Sequence, residues 1–152
     1  MGNVRHATEA DFPRLLELGR LMHAEAVLLN HAPFDDEKVT TMCAHAMSAG
    51  LLIVHEGDGL IDGGFMGILG ERWYSRQAMF IDLALFVRPD RRSGVIAYRL
   101  ISSAIEWCES KGVDPRNVLF GVTTGVRENE TGEFYRRMGM RPAGSLYQLG
   151  SY

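Results

Sequence analysis

The chain has 152 residues, 46% of them hydrophobic, and a formal net charge of −3. That size and apolar content fit one domain with its own core and exclude a disordered chain. The acidic balance leaves no general basic field for nucleic acid, so any anion site has to be local. The two cysteines, Cys43 and Cys108, each stand among apolar residues in a helical pattern. They read as buried free thiols, not as a disulfide framework. Arg5, Asp11 and Arg14 interrupt the N-terminal apolar run, and no apolar segment approaches the ~20 residues of a membrane span. A reducing cytoplasmic setting without membrane or nucleic-acid partners is expected.

In chain order, residues 2–7 form a first short strand. Thr8 precedes Asp11 by three, a capping-box start, and Pro13 falls in the first turn of a helix with Phe12, Leu15, Leu16 and Met22 at helical spacing. A loop follows around Asn30 to Pro33. Asp35 and Asp36 cap a second helix carrying Val39, Met42, Cys43, Ala46 and Met47, with Gly50 as its stop. Leu51–His55 is a short apolar strand, Gly57-Asp58-Gly59 a turn, and Leu60–Leu69 its hairpin partner, in which Gly63-Gly64 marks a weak point or bulge. Residues 70–77 are a polar connector holding Trp73 and Tyr74, readable as an acceptor or subunit contact or as plain cover for the sheet.

Phe80–Val87 is the strongest strand. It runs into an arginine-rich turn and then a helix with Ile96, Ala97, Leu100, Ile101, Ala104, Trp107 and Cys108 on one face, ended by Lys111-Gly112. A helix start exposes backbone N–H donors and the positive end of the dipole, so this corner suits a phosphate. Arg88, Arg91, Arg92 and Arg99 form one cluster there; Arg136, Arg137 and Arg141 form a second. Val118–Thr123 is a further strand. Asn129 or Thr131 starts a shorter helix to Met138, Gly139 caps it, and residues 143–149 form a last strand. The order β-α-α-β-β-β-α-β-α-β combines an antiparallel meander with parallel crossovers, an α+β class with a mixed sheet in one domain over residues 1–152.

Asp82 is the only charged residue of Phe80–Val87. Alternation puts it on the face of Phe80, Ala84 and Phe86, where a carboxylate has to be paired, protonated or functional. Glu25 and Glu71 are weaker candidates for a base. The five histidines show no metal-ligand spacing. No Gly-x-Ser-x-Gly or Cys-x-x-Cys pattern is present, which argues against a covalent hydrolase or thiol redox centre.

Three segments and the order of elements resemble the GNAT superfamily of acyl-CoA-dependent N-acyltransferases over nearly the whole chain. They are the opening Arg5-His6-Ala7-Thr8-Glu9-Ala10-Asp11; the loop Arg92-Ser93-Gly94-Val95-Ile96-Ala97, which falls on Arg/Gln-x-x-Gly-x-Gly/Ala with Val95 at the middle glycine; and Asn129 followed by Phe134-Tyr135-Arg136-Arg137-Met138-Gly139-Met140. The resemblance implies a GNAT-like fold and direct attack of an amine on the thioester of acetyl-CoA, without a metal. It implies that the backbone N–H groups of Arg92, Ser93, Gly94, Val95, Ile96 and Ala97 face the pyrophosphate. Leu85, Phe86 and Val87 would lie along the pantetheine arm, and Asn129 would touch the cofactor. Tyr135 would protonate the leaving thiolate, and Asp82 would take the amine proton. The acceptor would be a small-molecule amine or a protein amino group, met by the loop from Val27 to Phe34 and the last strands, through Asn30, His31, Tyr147 or Gln148. A homodimer is compatible with the open sheet edges. The competing readings are a catalytically idle acyl-CoA-binding or regulatory module on the same fold and, disfavoured by the consecutive hairpins, a nucleotide-binding α/β domain.

Overall fold

The computed structural model describes residues 2–122 and 124–150. A five-stranded sheet in the order β1-β2-β3-β4-β5 forms its centre, with β1 Asn3–His6, β2 Gly50–Gly57, β3 Leu60–Glu71, β4 Ala78–Val87 and β5 Val118–Leu119. The first four strands are antiparallel neighbours, and β5 joins β4 in parallel. Helices α1 (Phe12–Glu25) and α2 (Asp36–Ala49) cover one face. Helices α3 (Val95–Ser110) and α4 (Glu128–Arg137) cover the other. The α+β class, the mixed sheet and the element order are those expected as far as α4.

Two cores separate along the sheet. Leu18, Cys43 and Ala46 meet Leu52, Val54 and Phe86 on the α1/α2 side. Ile96, Leu100, Ile101, Ala104 and Cys108 meet Leu51, Ile53, Phe65 and Phe80 on the α3/α4 side. Each such buried Leu, Ile or Phe contributes roughly 1.5–3 kcal/mol relative to exposure. Gly67 is part of this fit: a Cβ there would stand 2.2 Å from Cζ of Phe80, whose ring lies over it.

Several boundaries differ from expectation. Gly50 continues the chain as extended backbone into β2 instead of ending the helix at a turn. The β2–β3 irregularity falls where His55 pairs with Gly63 and Glu56 with Ile61, so Asp62 is the extra residue, just before the glycine pair. Helix α4 begins at Glu128 behind Arg127, and neither Asn129 nor Thr131 caps it. The expected strand Val118–Thr123 pairs only over Val118–Leu119, and Thr123 lies outside the described residues. Residues 143–149 form no strand; residues 141–150 are exposed throughout.

Face assignment along β4 also needs correction. Met66 pairs with Ala84 but Gly67 with Asp82, so Leu83 is a bulge. A bulge inserts a residue and reverses the alternation beyond it. Asp82 therefore shares its face with Phe80, on the α3/α4 side, whereas Phe86 packs in the α1/α2 core. Ala84, opposite Met66 of that same core, goes with Phe86 and not with Asp82.

Candidate functional site

Strand β5 pairs with β4 at only two positions, Phe80↔Val118 and Ile81↔Leu119. Beyond them the strands part, because the Gly121 amide donates to Oδ1 of Asp82 at 2.9 Å and is spent on a side chain instead of the ladder. The split opens into a groove of about 810 Å³. Residues Asp82–Val87 line one wall, Gly121 and Val122 the other. The start of α3 lies at one end, and Met22, Glu25 and Leu29 border the α1 side. The α1–α2 loop is tied across to the segment before α4: the Leu28 amide donates to the Thr124 carbonyl at 3.3 Å. Gly125, at φ +79°, lies against Val27 and Leu28, where a Cβ would meet Val27 at 2.7 Å.

The two residues expected to do chemistry meet at Gly121. Its N–H is held by Asp82, and its carbonyl accepts the Tyr135 hydroxyl at 3.3 Å. Burial raises the Asp82 carboxyl to about 6, against the opposing pull of the Gly121 amide. Such a group is largely ionised at neutral pH yet can take up a proton close to it. Burial, and then the nearby Asp82 charge, push the Tyr135 phenol well above its ordinary range. Its hydroxyl thus stays protonated and serves as a donor.

At the start of α3, Gly94 sits at φ +88°, and a Cβ there would meet only open space. The first bond of the helix runs from the Tyr98 N–H to the Gly94 carbonyl at 3.0 Å. The N–H groups of Val95, Ile96 and Ala97 therefore have no helical acceptor and form an anion cradle. The Ser93 N–H, by contrast, is given to the Arg91 carbonyl at 3.1 Å. Leu85, Phe86, Val87, Arg92, Ser93, Gly94, Ala97, Asn129, Asp82 and Tyr135 all line the groove. Val95 and Ile96 do not: the Val95 side chain is exposed and that of Ile96 is in the core, which leaves them only their backbone donors.

The Arg92 guanidinium turns inward. Its Nε donates to the Val87 carbonyl at 2.7 Å, its Nη2 to Glu25 at 2.8 Å, and it lies 5.1 Å over the Phe86 ring. It pins the end of α1 to the end of β4. Arg88 is paired with Asp90, Arg91 with Asp58, and Arg99 with the Gly2 carbonyl. Besides the inward-turned Arg92, the cations on the groove wall are Arg127 and Arg137. Only the second belongs to the clusters visible in sequence, because Arg127 reaches the groove through a left-handed turn at φ 50°.

Asn129 borders the groove from the first turn of α4. Glu25 is committed to Arg92, and Glu71 ends β3 away from the groove. Trp73 and Tyr74 form an exposed T-shaped pair, centroids 5.3 Å apart, on the β3–β4 connection and do not line the groove. Asn30, His31, Tyr147 and Gln148 do not line it either; the α1–α2 loop contributes Leu29. Gly121 had no sequence signal, since its role depends on where β5 leaves β4. Among the described residues no three His, Cys, Asp or Glu side chains converge as a metal site, and no helix is long and apolar enough to cross a membrane.

No protein-family profile matches the chain, and no curated protein sequence matches it significantly. Solved structures do match. A ribosomal-protein-alanine N-acetyltransferase from Brucella melitensis has a TM-score of 0.76 at 23% identity, over 97% of this chain and 90% of that one. A predicted acetyltransferase from Clostridium acetobutylicum, solved with acetyl-CoA, gives 0.75 at 13% identity over 99% and 96%. An aminoglycoside acetyltransferase from an uncultured soil metagenomic sample gives 0.71 at 20% identity over 99% and 95%. The chain therefore has the fold of the GNAT-like acetyltransferases.

Proposed function

We propose that this protein is a GNAT-superfamily N-acetyltransferase that moves an acetyl group from acetyl-CoA to a primary amine of a small molecule or a protein. One observation carries this reading: the β4–β5 split joins the open N–H cradle of α3 to the Asp82–Gly121–Tyr135 arrangement within a single groove. Likeness to acetyltransferases, one of them solved with acetyl-CoA, supports it. The cradle fits a pyrophosphate, since Gly94 leaves its approach open and the first three N–H groups of α3 have no helical acceptor.

Acetyl-CoA, when bound, supplies the thioester. The residues of the chain then hold, orient and move protons. The N–H groups of Val95, Ile96 and Ala97 anchor the diphosphate, with Arg127 and Arg137 as nearby cations. The unpaired edge of β4 from Asp82 to Val87 orients the extended arm. The amine nitrogen bonds to the carbonyl carbon, the carbon–sulfur bond breaks, and the electron pair leaves on sulfur. Asp82 accepts the proton that the nitrogen loses as its bond forms. Tyr135 donates its hydroxyl hydrogen to the thiolate; the proton taken up by Asp82 is then released to solvent and the phenolate regains one, so both groups return to their starting states. Holding both reactants in one groove contributes through proximity, and the two polar groups contribute through proton management.

The test is turnover of acetyl-CoA with a panel of amines, read as free thiol. Tyr135→Phe is expected to lower kcat about 100-fold while acetyl-CoA still binds. Unchanged turnover in that variant would remove the acid from the scheme. Tight acetyl-CoA binding with no transfer to any amine would identify the idle binding module instead.

A further inference from the structure

Building on the acetyl-transfer reading, we infer that the acceptor is a small monoamine on an apolar body, an aliphatic or arylalkyl primary amine, and not a polycation. The bulge at Leu83 sorts the residues of β4 between the two faces of the sheet. Asp82 goes to the side of Tyr135 and α3, where the cofactor cradle lies. Ile81, opposite Ile68 of the α1/α2 core, belongs to the other side, and Leu83 follows it by alternation. Ile81 and Leu83 are 37% and 42% exposed, so neither α1 nor α2 covers them. A cofactor entering from α3 leaves the opposite mouth of the groove for the acceptor.

That mouth is hydrocarbon. Leu83 borders it with Met22 and with Leu29, itself 41% exposed, and Val126 lines the groove across from them. Uncovered large apolar side chains grouped at one opening are the usual mark of an apolar ligand. The charges are distributed to match. Of the four carboxylates along the groove, Glu25 is held by Arg92 and Glu133 by Arg136. Glu130 stands on the exposed first turn of α4, and Asp82 is left as the groove carboxylate without an ion-pair partner among the described residues, next to Leu83 in β4 but facing the cofactor side. One carboxylate suits one amine. A second or third ammonium would leave water for leucine and valine with no counter-charge, which is strongly unfavourable. A peptide acceptor would bring its own backbone polar groups onto the same hydrocarbon and leave them without partners.

The experiment compares kcat/KM at saturating acetyl-CoA for hexylamine and 2-phenylethylamine with that for spermidine, kanamycin and an alanine-initiated octapeptide. The apolar monoamines are expected to be preferred at least tenfold, the scale on which hydrophobic pockets discriminate. Leu83→Asp and Leu29→Asp, both at exposed positions, are expected to raise KM for hexylamine at least tenfold. In Leu29→Asp, which lies off β4, the KM for acetyl-CoA and the far-UV dichroism should stay unchanged. Equal or better use of spermidine, kanamycin or the peptide overturns the acceptor assignment and leaves acetyl transfer standing, as does an unaltered hexylamine KM in both variants. Acetyl-CoA binding with no turnover on any of the five overturns both.

Discussion

Asp82 and Asp11 show how the same side chain takes opposite roles from its surroundings. Asp82 is half-buried and raised to about 6. Between the ordinary carboxylate value near pH 4 and that value, the folded chain keeps a proton that the unfolded chain has released. Stability conferred by the protonated form is complete below pH 4 and is lost as pH rises through about 6. Asp82→Asn is accordingly expected to stabilise the fold by about 1–3 kcal/mol at pH 8 and to change nothing below pH 3.5, measured by urea unfolding at both values. The native protein is expected to gain amine kcat/KM as pH rises through about 6, and the same variant to lose that rise. A residue whose removal stabilises the fold but abolishes activity is one retained for chemistry. Asp11 is the reverse case. Hydrogen bonds from Arg5 at 2.8 and 3.0 Å, with the Thr8 amide, lower it to about 2. Its contribution is present above pH 4 and disappears as pH falls through about 2. Asp11→Asn should cost about 1 kcal/mol at pH 7 and nothing near pH 1.5, again by denaturant unfolding.

At the scale of elements, the junction between β4 and α3 carries the cofactor reading. Its sequence signature is the run of arginines, but its structural content is a left-handed glycine and three free amides. Gly94 at φ +88° is the point where an L side chain is strained. Gly94→Ala is expected to cost about 1 kcal/mol of stability and to weaken acetyl-CoA binding several-fold by calorimetry, because strain relief moves the cradle. Gly139→Ala, at φ +91° after α4 and outside the groove, is the control: similar strain with acetyl-CoA binding unchanged. Arg92 is better regarded as a positioning residue that joins α1 to the end of β4 than as a phosphate ligand, since two of its nitrogens are turned inward to Val87 and Glu25. The bulge at Leu83 has a comparable standing. It decides which side chains of β4 face the cofactor and which face the acceptor, and a single inserted residue is enough to do so.

Over the whole molecule, the two packed faces account for the stability and the split between β4 and β5 for the site. The exposed residues 141–150 belong to neither. Deletion of residues 143–152 is expected to leave the thermal midpoint and the acetyl-CoA affinity unchanged, measured by calorimetry. The class and the order of elements through α4 were legible in the sequence, because hydrophobic period, caps and turns are local signals. The phosphate corner and Asp82 stand out on local grounds, Tyr135 only through the family resemblance, and the structure sets them along one groove. Tertiary structure alone decided the rest. That Gly121 ties Asp82 to Tyr135, that Leu83 interrupts the alternation, and that four arginines of the phosphate corner are paired off inside the chain are outcomes of contact in the folded chain, made across as many as 97 residues of sequence and as few as two, in the case of Arg88 and Asp90. Strand alternation has period two and carries no record of an inserted residue, and a charged side chain does not announce its partner; both depend on which segments the fold brings together.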